Sequence, residues 1–173
     1  MSNIGNGNMK TYHFTIVLEG LTNSSPFHED KLFEAGCDDA LLCAHGDTLY
    51  LEFDREAESA VQAMESAIAD VKSAGASVRS IQEGGYSSKA DIASFAGVTR
   101  AAINKYSKNL AGFPSPVFGL DTRSPLYSLP EVAIWLYEHK KIEREKLEVT
   151  LVAAKFLKEA SAKAGAQWNN IAY

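Results

Sequence analysis

Lys89 to Tyr106, KADIASFAGVTRAAINKY, holds the pattern that decides how the second half of this 173-residue chain folds. Ser88 is a good N-cap, and Asp91 three residues on completes a Ser-x-x-acid capping box, so the sequence predicts a helix from about Lys89. Ile92, Phe95 and Ala96 recur at helical spacing, with small Ala93 beside them where a second helix can approach closely. Gly97 falls where a chain leaving a helix needs a residue that accepts positive φ, so the first helix should stop there. After apolar Val98, Thr99 can cap a second helix that turns Ile103 and Tyr106 inward. Thr99, Arg100, Ala101, Asn104, Lys105 and Lys108 are left facing outward. Arginine pairs with guanine, asparagine with adenine, and lysine or threonine with the sugar-phosphate backbone. The register therefore predicts a helix-turn-helix that presents this face to duplex DNA, against the plainer alternative of a helical hairpin. Arg100 and Asn104 are the expected base readers. Lys89, Thr99, Lys105 and Lys108 are the expected phosphate contacts.

Phe113-Pro114-Ser115-Pro116-Val117 cannot be helical. Val117-Phe118 and Leu126-Tyr127 then flank a polar Gly119 to Ser124, which reads as a short hairpin, a small wing with Arg123 at its tip. Ser128-Leu129-Pro130-Glu131 reads as another capping box with proline in the first turn, opening a helix that bears Val132, Ile134, Trp135 and Leu136. This order resembles the MerR-like winged helix-turn-helix of phage excisionases and related small regulators, over residues 86–140, about a third of the chain. The resemblance implies that the helix from Thr99 to Lys108 enters the major groove, and that Arg123 on the wing touches phosphate or the minor groove.

Charge divides the chain more sharply than its net −5 indicates. Residues 1–85 carry 5 Lys+Arg against 14 Asp+Glu, a net of −9, and residues 86–173 carry 12 against 8, a net of +4. An acidic half repels phosphates, so it should face away from DNA or face a partner. No apolar run approaches the length of a membrane span, and the Asn- and Gly-rich start lacks a secretory segment, so a cytoplasmic protein is expected. Met9-Lys10 reads as a natural start behind a disordered lead over residues 1–10.

The acidic half shows its own order: a strand at Tyr12 to Leu18, a short helix at Glu29 to Ala35, and a hairpin of Ala40 to Cys43 with Thr48 to Phe53 around His45-Gly46-Asp47. A long helix over Arg55 to Ala74 and a strand at Ser77 to Ile81 follow. This βαββαβ series predicts a ferredoxin-like sandwich over residues 11–83. Ala57, Ala60, Val61, Met64, Ala67, Ile68 and Val71 form the expected packing stripe of the long helix, core rather than ligand groove. RNA binding on the sheet is discounted, because Tyr50 and Phe53 fall on opposite faces and carboxylates flank the strand.

No catalytic, metal or cofactor site is expected, and the chain reads as non-enzymatic. Cys37 and Cys43 are separated by five residues, outside structural zinc spacing, and read as buried free thiols. Asp38-Asp39, Asp47, Glu52 and Asp54 lack a calcium-loop spacing, and the paired glycines lack a phosphate-loop context. No nucleophile sits in a recognisable elbow. A charged helix follows from Glu143, carrying Leu147, Val149, Leu151, Val152, Phe156 and Leu157 and ending near Gly165, so residues 141–173 form a segment for docking or dimerisation. Trp168 and Tyr173 would anchor its end or mark a sticky surface.

The sequence thus predicts an α+β protein: a ferredoxin-like domain, a winged helix-turn-helix at residues 86–140 and a C-terminal helix. Its expected function is sequence-specific binding of double-stranded DNA as a homodimeric transcriptional regulator, a repressor of its own operon. An antitoxin-like adaptor gripping a basic protein partner through the acidic half is one alternative. An excisionase-type DNA-bending protein is the other.

Overall fold

The computed structural model describes residues 8–22 and 27–171, with side chains through residue 167. Most of the expected N-terminal lead lies outside the described residues, and so do the side chain of Trp168 and the whole of Tyr173; Lys10 already begins the first strand. The chain is mixed α+β and divides into two compact units, Met1–Gln82 and Glu83–Tyr173.

The first unit contains β1 (Lys10–Thr22), α1 (His28–Glu34), β2 (Ala40–His45), β3 (Thr48–Ala57), α2 (Ala60–Ser73) and β4 (Ser77–Ile81). The strands pair antiparallel in the order β2-β3-β1-β4. Alternation sets the inner face: Tyr12, Phe14, Ile16 and Leu18 of β1 are buried beside Leu49, Leu51 and Phe53 of β3. Phe14 lies directly across from Phe53, and their rings stack 5.2 Å apart. Ser59 caps α2 by accepting from the Gln62 N–H, and Ala60, Ala63, Met64, Ala67 and Val71 bury its inner stripe.

The helix expected from Arg55 starts instead at Ala60, because the two-residue alternation of β3 continues to Ala57. Arg55 pairs across from Tyr12 and Ala57 across from Lys10, so both belong to the sheet, and Val61 is exposed rather than packed. The misleading residue is Arg55, a cation on the inner face that is only 7% exposed. Its guanidinium donates to both carboxylate oxygens of Asp39 at 2.7 and 2.9 Å, to Asp70 at 2.8 Å, to the Gly36 carbonyl at 2.7 Å and to Ser66 at 3.1 Å. Burial alone would lower its pKa, but the hydrogen bonds to Asp39 and Asp70 outweigh it and hold the charge more firmly. The same surroundings act on Cys37, whose thiol is pushed up to about 11 by burial first and by Asp70 second. Cys43 departs from expectation, since it sits half-buried in edge strand β2 rather than in the core.

The second unit contains β5 (Tyr86–Ser87), α3 (Lys89–Ala96), α4 (Arg100–Asn109), β6 (Tyr127–Ser128), α5 (Leu129–Glu138) and α6 (Arg144–Ile171). Ile92, Ala93, Ala96, Ile103, Tyr127, Leu129, Val132, Trp135 and Leu136 form one core. The Trp135 indole N–H donates to the Ala111 carbonyl at 3.1 Å, and its ring meets Phe113 edge-on at 5.0 Å, which ties the proline-rich segment to α5.

Three expectations are corrected here. The wing is shorter than a regular two-stranded hairpin: its arms meet at a single antiparallel bridge, Phe118 to Leu126, with backbone bonds from Val117 and Phe118 to Leu126 and back, and the return strand then pairs with β5, Tyr127 facing Ser87. Ser128 makes no side-chain cap bond, because it is already held in β6 opposite Tyr86, and the Leu129 N–H is satisfied by the Gly85 carbonyl at 3.1 Å. The C-terminal helix runs past its expected end near Gly165 to Ile171. Val149, Thr150 and Ala153 are buried, α6 packs on α5, and Lys146 donates to the Phe95 carbonyl at 2.7 Å near the end of α3. Ala160, Ala162, Ala164 and Ala166 are strong helix formers that carry the chain through the glycine.

Gly84 touches the α6 backbone, where an added Cβ would lie 2.5 Å from the Ala153 carbonyl carbon and 2.6 Å from the Ala154 nitrogen. Gly84→Ala should therefore displace α6 at a cost of about 1–3 kcal/mol, read as a lower urea midpoint and faster proteolysis within α6. Arg55→Met strands two carboxylates that are each 30% exposed, and should cost about 3 kcal/mol in the same denaturation assay.

Candidate nucleic-acid interface

The α3–α4 pair is assembled by local bonds that follow directly from its residue types. The Ser88 hydroxyl accepts from the Asp91 N–H at 3.2 Å while the Asp91 carboxylate accepts from the Ser88 N–H at 3.0 Å, completing the capping box. Gly97 takes φ +68, and the Val98 N–H reaches the Ala93 carbonyl at 3.0 Å, which closes α3 and turns the chain. Thr99 then caps α4 by accepting from the Ala102 N–H at 3.1 Å. Buried Ile92 and Ile103 meet in the core, and small Ala93 and Ala96 keep the two helices close.

Of the residues expected to act, Thr99, Arg100, Ala101, Lys105, Lys108 and Arg123 are exposed, and Lys89 and Asn104 are half-buried. Lys89, Arg100, Asn104 and Arg123 line one cleft of about 160 Å³, together with Ser124 and Tyr127. The remaining four are not part of it. Thr99 holds the start of α4, and Ala101, Lys105 and Lys108 lie further round its outer surface. Among the described residues, no carboxylate forms an ion pair with Arg100, Lys105, Lys108 or Arg123. These four cations are thus left without a carboxylate partner inside the described protein.

The position of Arg123 depends on its loop rather than on a strand ladder. Gly119 has φ +64, and the Thr122 N–H and hydroxyl both donate to the Gly119 carbonyl, at 3.0 and 2.6 Å. Nearby Tyr86 and Phe118 meet edge-on at 4.6 Å while both remain exposed.

Lys89 carries a bond that sequence reasoning missed. Its ammonium donates to the Asn104 side-chain oxygen at 3.0 Å and to the Ser107 hydroxyl at 3.4 Å, strapping the start of α3 to the middle of α4. Lys89 is therefore a positioning residue for Asn104 in addition to a cation at the cleft. Fifteen residues separate the two in sequence, and only the crossing of the helices brings them together. Ser107, Ser124 and Tyr127 also escaped notice, since a serine or a half-polar tyrosine carries no sequence signal of its own.

Among the described residues, no group of three His, Cys, Asp or Glu side chains is placed to hold a metal ion, and no helix is long and apolar enough to cross a membrane. No family model, curated protein or solved structure matches the chain.

Lys89→Met keeps the aliphatic stem but removes the strap. It should lower stability by about 1 kcal/mol in thermal denaturation and broaden the Asn104 side-chain amide resonances in nitrogen-proton NMR spectra.

Proposed function

We propose that the second unit is a winged helix-turn-helix of the MerR-like, excisionase-related kind, and that the protein binds duplex DNA in a sequence-specific manner as a transcriptional regulator, a repressor of its own operon. The observation that carries this reading is the cleft where Arg100 and Asn104 of α4 meet Lys89 of α3 and Arg123 of the loop. A helix that enters the major groove offers residues of its first turns to base edges, while cations beside it meet the phosphates that border the groove. Arg100 stands in the first turn of α4 and Asn104 one turn further, so both suit base readout. Arg123 suits phosphate or the minor groove, and Thr99, Lys105 and Lys108 suit backbone contact. Ala101 between them leaves room for close approach.

The strand order β2-β3-β1-β4, with β3 between β1 and β2, supports reading the first unit as a ferredoxin-like sandwich. A homodimer suits a module with one short reading helix, because two-fold symmetry doubles the contacts at adjacent half-sites. One observation favours a further role for the acidic unit as a docking platform for a basic protein: Leu41, 64% exposed, lines a shallow depression with Asp38 and Glu52, beside Asp39 and Asp54, which are already engaged by Arg55 and His13. Co-purification of a small basic protein made from the same operon tests that role, and a clean homodimer without it counts against it.

The main test is fluorescence anisotropy against the DNA upstream of the protein's own reading frame and a scrambled duplex of equal length, across a salt series. Binding to the upstream duplex should persist to higher salt than binding to the scrambled one. Arg100→Ala should cost about 1–3 kcal/mol and relax preference at one base pair, whereas Lys105→Ala should weaken all sequences alike. Equal losses on every sequence from both variants would show that Arg100 does not read a base.

A further inference from the structure

Lys140, in the turn between α5 and α6, has φ +58 and is the one non-glycine residue with positive φ among the described residues. The turn ends α5 with N–H donation from His139 to the Trp135 carbonyl at 3.0 Å, from Lys140 to Tyr137 at 3.0 Å and from Lys141 to Leu136 at 2.8 Å. Glycine adopts the left-handed position after a helix without the Cβ crowding that any other L-residue meets there. A lysine at such a position weakens the turn, and strain of that kind points to a use for the side chain.

Its neighbour supplies the direction. The Lys141 ammonium lies 4.8 Å from the centre of the Tyr106 ring on α4. Residues on a helix advance by roughly 100° each. Measured from the outermost positions, Ala101 and Lys108, the residues Arg100, Asn104 and Ser107 lean to one flank and Lys105 leans to the other, with inward-turned Tyr106 behind it on that side. Lys89 joins the first flank through its bonds to Asn104 and Ser107, and Arg123 joins it at the cleft. Lys141 lies on the same side as the second flank, behind it at Tyr106, where a groove-lying helix meets the rim of the groove, with Lys140 next to it in the exposed turn. Glu138 and Glu143 border the turn in sequence, yet among the described residues no carboxylate forms an ion pair with either lysine.

A helix lying in the major groove has a row of phosphates on each side of it. We infer that Lys140 and Lys141 form a second phosphate-binding edge, which takes the backbone across the groove from the one met at the Arg123 side. This rests on the reading of α4 as a groove-entering helix. It adds that α4 is gripped from both flanks, by cations that lie outside the helix-turn-helix.

The test follows anisotropy over a salt series with the full-length protein, the upstream duplex and the scrambled duplex, for Lys140→Gly, Lys141→Met and a control, Lys163→Gln, on exposed α6. Lys140→Gly should unfold at a temperature no lower than the unsubstituted protein, since it relieves the left-handed strain, yet bind both duplexes severalfold more weakly. Each of the two turn variants should make the slope of log affinity against log salt shallower by about 0.9, the loss of one phosphate contact. The control should leave the slope unchanged, which separates a local contact from the loss of one unit of net charge. Unchanged affinity and slope in both turn variants, with the unsubstituted protein still binding, would overturn the second edge alone. An unsubstituted protein that bound neither duplex would overturn the reading of α4 and this inference with it.

Discussion

The turn at Gly97 is the constraint on which the arrangement of the second unit depends. Positive φ there lets the chain reverse within a few residues, and the Val98 bond back to Ala93 holds the reversal. With Ala93 and Ala96 at the contact, α3 and α4 come close enough for Ile92 and Ile103 to share one core. A larger residue at either alanine would push α4 outward, and every group that depends on its placement would move with it. The cleft, the Lys89 strap and the contact of Lys141 with Tyr106 are all read off the same helix. A small error in one backbone turn would therefore appear as several lost contacts far along the chain.

The first unit is organised by a different device, a buried cation rather than a tight turn. Arg55 gathers Asp39, Asp70, Ser66 and the Gly36 carbonyl, so one side chain joins the loop before β2, the third strand and the second helix. Taking a guanidinium out of water costs much, and a network this complete offsets the loss by answering its donors with acceptors. Packing alone would tolerate some sliding between a helix and a sheet. Directed hydrogen bonds allow far less.

Legibility in the sequence followed the range of the interactions involved. Ser88, Asp91, Gly97 and Thr99 act on neighbours within a few residues, and each takes the role its chemistry predicts. Strand β4 begins and ends where its residues indicate, at Ser77 and Ile81. Arg55 misled because a charged residue in an alternating segment reads as an outward position, whereas its partners lie eleven to nineteen residues away. Ser128 misled for a related reason, since strand pairing with Tyr86, forty-two residues earlier, competes with the cap. The packing of α6 could not be read from its pattern alone, because Val149 and Ala153 acquire their meaning from α5 and from the bare backbone of Gly84. Within the candidate interface, the residue types on α4 were readable one by one. The partnership of Lys89 with Asn104 was not, because it exists only across a helix crossing.

That partnership bears on how exacting the protein would be toward its target. An asparagine identifies adenine when its oxygen accepts from the exocyclic amine and its NH₂ donates to N7. Here one lone pair of the oxygen already accepts from Lys89, and the second is left for the amine of a base. On the proposed reading, Asn104 therefore enters the groove with its amide already turned, because the ammonium beside the oxygen fixes which end of the amide is which. Guanine offers an oxygen where adenine offers the amine, so an amide that cannot flip rejects it. The exactness of the protein at that point in its operator would then come from a bond made inside the protein before DNA arrives.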